Sequence, residues 1–150
     1  MTRIVKAKDG IDEGARILKD GGLVVFPTET VYGLGANAYD ENAVANIFKA
    51  KGRPQDNPLI VHISSLDQVK DIAVDVPDEF YKLAERFMPG PLTVILKKSD
   101  KIPYVVTAGG DTVGVRLSDI AYTRQLIAKS FPLAAPSANR SKHISPTTAQ

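Results

Sequence analysis

The sequence predicts an α/β domain built on a mixed sheet. Three observations carry that expectation. Short β-branched runs alternate with amphipathic helical stretches from end to end. One run, Leu23-Val24-Val25-Phe26, is continuously apolar, as in a strand covered on both faces. The runs 92–97 and 113–117 have no helical pattern between them, so strict βαβ alternation fails and antiparallel pairs must enter.

In chain order, Arg3 to Ala7 reads as a first short strand. Asp9 is placed to cap a helix over Ile11 to Asp20, with Ile11, Ala15 and Leu18 on one side. Gly21-Gly22 ends it, because glycine takes the left-handed conformation common past a helix terminus. After the apolar run closed by Pro27, a helix from Glu41 to Lys51 is capped by Asp40. It turns Val44, Ile47 and Phe48 inward and stops at Gly52.

Leu59 to Ile63 reads as a strand, and Leu66 to Ala73 as a helix capped by Ser65. A further helix opens near Pro77, with a stripe of Phe80, Leu83, Ala84 and Phe87, and Pro89-Gly90-Pro91 breaks it. Asp119 is read as capping a helix through Lys129, and Leu133 to Ala135 as a last strand. Ser145-Pro146 has the pattern of a new helix start, with only Thr147 to Gln150 after it. The expectation is therefore one domain over residues 1–150, either frayed at its end or lacking its C-terminal part.

With 43% apolar and 24% charged residues, the chain can bury a core and does not have the composition of a disordered segment. It has no cysteine, which excludes disulfides and thiolate metal sites and fits a reducing interior. Its N-terminus lacks the apolar stretch of a signal peptide, and no apolar run approaches the roughly 20 residues of a membrane helix. The expected location is the cytoplasm, with no membrane partner. A net charge of +2 tolerates an anionic ligand but does not argue for nucleic acid.

Polar clusters fall at strand ends, where α/β sheets place their ligands. Pro27 to Gly35 carries Thr28, Glu29, Thr30 and two glycines. It reads equally well as a substrate grip and as a turn packed by Tyr32. Lys49 to Pro58 brings together Lys49, Lys51 and Arg53. The lysines are explained by the negative end of their helix, an effect of about 0.3–1 kcal/mol. Arg53 between Gly52 and Pro54 is not, and phosphate binding is the favoured reading.

Alternation sets His62 with Ile60, opposite Leu59, Val61 and Ile63. A lone strand histidine is more often structural than catalytic. With His143 the only other histidine, no histidine-rich metal site is expected. Arg116 shares a face with Gly114, and burial would oblige it to meet an internal acid or a ligand carboxylate. Ala135 to Ser141 forms either a Ser/Asn cradle for phosphate and ribose oxygens or an ordinary turn.

Taken together, PTETVYGLG (27–35), KAKGRPQDNPLIVHI (49–63), PGPLTVIL (89–96), VGVRL (113–117) and APSANRSKHISPT (135–147) resemble the YrdC/Sua5 family. The Lys-x-Arg and Ser-x-Asn signatures appear as Lys51-Gly52-Arg53 and Ser137-Ala138-Asn139. The resemblance implies a YrdC/RibB-like fold with a concave ligand-binding face, and a threonylcarbamoyl-AMP synthase activity. Threonine and bicarbonate (or CO2) would give N-carboxy-threonine, which attacks the α-phosphate of ATP and releases pyrophosphate. A threonylcarbamoyl transferase complex would then pass the group to adenosine 37 of tRNA.

The resemblance further implies that Thr30, His62, Arg116 and the backbone at Ala135 hold threonine, and that Lys51, Arg53, Asn57, Thr112, Ser137, Asn139 and Ser145 surround ATP. Lys51 and Arg53 are the expected catalytic cations, with Mg2+ arriving on the ATP rather than in a dedicated protein cage. Two rivals stand beside this reading. One is a carbamoyl-adenylate-forming module of a hydrogenase-maturation carbamoyltransferase, against which the N-terminus, starting almost on the first strand, speaks. The other is a non-catalytic RNA-binding module, for which aromatic residues near the basic loop give thin support beyond a weak RNA contact.

Overall fold

The computed structural model describes residues 7–27, 32–52 and 57–136. Its elements run α1 (Ala7–Lys19), β1 (Val24–Pro27), β2 (Tyr32–Asn37), α2 (Glu41–Lys51), β3 (Ile60–Ile63), α3 (Val69–Ile72), β4 (Ala73–Val74), α4 (Asp78–Phe87), β5 (Thr93–Lys98), β6 (Thr112–Leu117), α5 (Ala121–Ala128) and β7 (Leu133–Ala135). The seven strands form one mixed sheet in the order β1-β2-β7-β3-β6-β5-β4. Only β3 and β6 run parallel; every other described pair is antiparallel.

Local chemistry sets several boundaries. At the end of α1, Gly22 N–H donates to the Ile17 carbonyl at 2.8 Å and Gly21 N–H to Leu18 at 3.1 Å, with Gly21 at φ 83°. That is the double closure a left-handed glycine permits. The N-cap of α2 is Asp40, whose Oδ1 accepts from Ala43 N–H at 3.0 Å, and Gly52 closes the helix at φ 64°.

The strand alternation divides the core in two. On one face Val61, Ile63, Val113, Val115, Leu96, Ala36 and Ala134 meet Val44, Ile47, Phe48, Val69, Ile72 and Phe80. On the other, α1 and α5 bring Ala15, Leu18, Leu126 and Ile127 against Phe26, Leu133 and Ala135. This second cover serves the β1-β2-β7 side. Towards β5 the same face is open, and Ile95 there is 64% exposed.

Several expectations are corrected. Ala7, read as the end of a first strand, opens α1, in keeping with the helix preference of Ala and Lys; residues 3–6 lie outside the described residues. Asp9 lies within α1 rather than capping it. The apolar run at 23–26 is a sheet edge, not a strand covered on both faces: Val25 is 50% exposed. Residues 32–35, read within the Pro27–Gly35 grip or turn, belong with Ala36 and Asn37 to β2.

The helix read over 66–73 is one 3₁₀ turn (Leu66–Gln68), the short α3 and the start of β4. Ser65 makes no capping bond; Gln68 Oε1 instead accepts from Ser64 N–H at 2.6 Å. In α4 only Phe80 and Ala84 of the expected stripe are buried, and Phe87 is 52% exposed. Ile120, not Asp119, is the N-cap of α5, and its N–H donates to Ser118 Oγ at 3.0 Å. The helix start read at Ser145 lies outside the described residues.

Candidate functional site

Register brings the predicted polar residues of the sheet into one row. His62 of β3 pairs with Arg116 of β6, Arg116 pairs with Thr93 of β5, and His62 pairs on its other side with Leu133 of β7. Directly opposed residues point to the same face, so Thr93, Arg116, His62 and Leu133 form a line across four strands. A second line, Ile95-Gly114-Ile60-Ala135, lies beside it. Both occupy the face that the helices leave open towards β5. A Cβ on Gly114 would stand 3.1 Å from Thr93 Cγ2 and 3.5 Å from Ile95 Cδ1, so the glycine admits those two side chains over the strand.

The row is sunk into the protein. His62 and Arg116 are buried, and both side chains are engaged within the protein. A guanidinium and an imidazole side by side at the base of an open face can receive a carboxylate and a neighbouring polar group of a small ligand.

Phe26 shapes the wall of this face. Its ring lies edge-on to His62 with centroids 5.3 Å apart. In the sheet order β1 is three strands from β3, about 14 Å in a flat sheet. The contact therefore requires the β1–β2 hairpin to curl over the face. The pairing of β2 permits this, because its first part (32–35) pairs with β1 and its end (36–37) with β7. Gly33 and Gly35 make room for the ring: a Cβ on either would stand 3.0 Å and 2.7 Å from it. Both glycines thus mark a close aromatic approach.

One end of the sheet collects further described candidates. The N-terminal ends of the parallel strands β3 and β6 lie together, and antiparallel β7 ends beside them. Asn57, just before β3, Thr112, opening β6, and Pro136, leaving β7, therefore converge there. Asn57, Thr112 and Lys51 are exposed; Ala135 is buried opposite Ile60. Thr30, Arg53, Ser137, Asn139 and Ser145 lie outside the described residues. The sequence reading did not single out Thr93, Phe26 or Thr123. The first two acquire their place only through cross-strand register and hairpin curl. Thr123 carried a usable signal, since it is a hydroxyl on the face of α5 that also presents Leu126 and Ile127.

An α/β domain with a sunken Arg–His pair on a half-covered sheet is the class these features define. The family model Sua5_yciO_yrdC, described as "Telomere recombination", matches residues 16–150, and the chain belongs to that family. It is 53% identical to a threonylcarbamoyl-AMP synthase of Pyrococcus abyssi, over 99% of this chain and 46% of the relative. It is 49% identical to one of Bacillus subtilis, over 93% of this chain and 41% of the relative. A crystal structure of P. abyssi Sua5 complexed with L-threonine superposes with a TM-score of 0.84 at 52% identity, covering 93% of this chain and 41% of that one. The chain thus spans less than half the length of these relatives.

Proposed function

We propose that this chain is the catalytic domain of an L-threonylcarbamoyladenylate synthase, which consumes ATP, L-threonine and bicarbonate and releases threonylcarbamoyl-AMP and pyrophosphate. The observation that carries the reading is the Thr93-Arg116-His62 row, sunk in the open sheet face beside the end where Asn57, Thr112 and Pro136 meet. A guanidinium next to three strand ends, whose flanking segments carry the candidate phosphate-binding residues, supports a carboxylate receptor beside a nucleotide. The likeness to a Sua5 complexed with L-threonine supports the choice of amino acid.

In this reading Arg116 pairs with the threonine carboxylate, and His62, Thr30 and the backbone at Ala135 complete its grip. The threonine amine takes up bicarbonate with loss of water. A carbamate oxygen then bonds to the α-phosphorus of ATP as the bond to pyrophosphate breaks. Lys51 and Arg53 offset the charge that grows on the leaving phosphates, while Asn57, Thr112, Ser137, Asn139 and Ser145 hold the nucleotide.

Mg2+ enters on the triphosphate. Among the described residues no three His, Asp or Glu side chains gather as a metal site, and none of the helices is long and apolar enough to cross a membrane. The product passes in the cytoplasm to a transferase complex that modifies adenosine 37 of tRNA. The test is pyrophosphate release by the chain with ATP, threonine and bicarbonate. Release that requires all three supports the reading; release without threonine, or none, overturns it.

A further inference from the structure

α5 packs Leu126 and Ile127 into the core beneath β1, and the residue one turn earlier on the same face is a threonine. Thr123 is fully buried. A threonine within a helix can return its hydroxyl to the carbonyl four residues back, but Thr123 stands in the first turn of α5. Here Oγ1 donates instead to the Pro27 carbonyl at 2.6 Å, across 96 residues of sequence. Pro27 ends β1, follows Phe26 directly, and has no N–H of its own to anchor it.

The bond therefore ties the end of an edge strand to a helix at the residue next to the ring that packs on His62. The sheet ladder of the described residues does not do this, because β1 has a partner strand on one side only. From the Thr123 hydroxyl, the Pro27 carbonyl and the edge-on Phe26–His62 contact, we infer that Thr123 is a positioning residue for the substrate pocket. It holds the curled hairpin down so that Phe26 fixes the plane of the His62 ring. The inference rests on the reading of His62 as part of the threonine grip; Thr123 itself touches no substrate.

Three variants test it. Thr123→Val keeps the shape and removes the hydroxyl, Thr123→Ser keeps the hydroxyl, and Phe26→Leu removes the ring while leaving the hydroxyl bond. Histidine proton–carbon NMR gives a readout independent of catalysis. The chain has two histidines, and His143→Gln assigns the remaining signal to His62.

Thr123→Val and Phe26→Leu are expected to move the His62 signal and to raise the threonine KM by about five- to tenfold. The ATP KM should stay within about twofold and Thr123→Ser should stay close to wild type, since a lost positioning bond affects only the site it serves. An unmoved His62 signal in Thr123→Val, or threonine and ATP KM rising together, overturns the inference. Should Thr123→Val not fold, Thr123→Ala, which removes the hydroxyl without adding bulk, decides by the same two criteria. If wild type releases no threonine-dependent pyrophosphate, the functional reading fails and the His62 signal alone decides on Thr123.

Discussion

Replacing Gly35 with alanine adds one methyl group where the structure leaves no room. The new Cβ would stand 2.7 Å from Phe26 Cε1, 3.3 Å from Cδ1 and 3.4 Å from the Ala134 carbonyl. Carbon atoms sit comfortably at about 3.5–4.0 Å, so the overlap with the ring is about 1 Å. A flexible side chain could absorb that, but Phe26 is fully buried and lies edge-on to His62. The ring can yield only by moving towards His62 or by lifting the hairpin.

Overpacking of this kind costs about 1–3 kcal/mol, and the stiffer unfolded chain of alanine returns about 0.4–1 of it. A net loss of about 1–2 kcal/mol follows, at about 2–4 °C in Tm per kcal/mol for a chain of this size. Thermal melting by circular dichroism reads the loss, and the His62 NMR signal reports where the strain goes. Gly33→Ala, whose Cβ would stand 3.0 Å from the same ring, should cost less. If Gly35→Ala melts with wild type and leaves the His62 signal in place, the close packing of ring on glycine is refuted.

The remaining predictions concern the caps, the buried phenol and the arginine of the row. Asp40→Ala removes the acceptor for Ala43 N–H and should cost about 1 kcal/mol, read as a lower Tm. Burial, and then the negative charge of Asp71, push the Tyr39 phenol up to about 12. Its contribution to stability is therefore complete below pH 10 and is lost as pH rises from 10 towards 12. Tyr39→Phe should lessen that alkaline loss by about 1–2 kcal/mol, allowing for partial solvent screening, as urea melts at about pH 9 and about pH 11.5 would show. Arg116→Ala should raise the threonine requirement roughly ten- to a hundredfold and the ATP requirement far less; equal effects in steady-state kinetics would make the residue structural.

What could be read from the sequence was whatever is decided within a few residues. Asp40 and Gly52 announce both ends of α2, and the alternation through β3 and β6 correctly set His62 and Arg116 apart from the valines that enter the core. A mixed sheet followed from two strands without a helix between them, and β5 and β6 do pair antiparallel. What could not be read depends on partners remote in sequence. Tyr-Gly-Leu-Gly-Ala-Asn has too little β preference to declare itself a strand, and β2 exists because Phe26 covers its two glycines from β1. An apolar run misleads at β1 for the same reason: Leu23, Val24, Val25 and Phe26 do not reveal whether their neighbours lie on one side or two.

The site shows the same division more sharply. Side-chain direction along a strand is local, but the companion of a strand residue is fixed by register, and register is a property of the whole sheet. Arg116 was recognisable as a residue in need of an anion, yet that Thr93 flanks it on one side and His62 on the other emerges only once β5, β6 and β3 are aligned. The curl of the β1–β2 hairpin adds a second nonlocal step by carrying Phe26 over two intervening strands to His62. A change at position 35 or 123, neither of them proposed to touch substrate, should therefore register at His62. The coupling runs through the Thr123–Pro27 bond and the Phe26–His62 contact, both made by the edge strand β1.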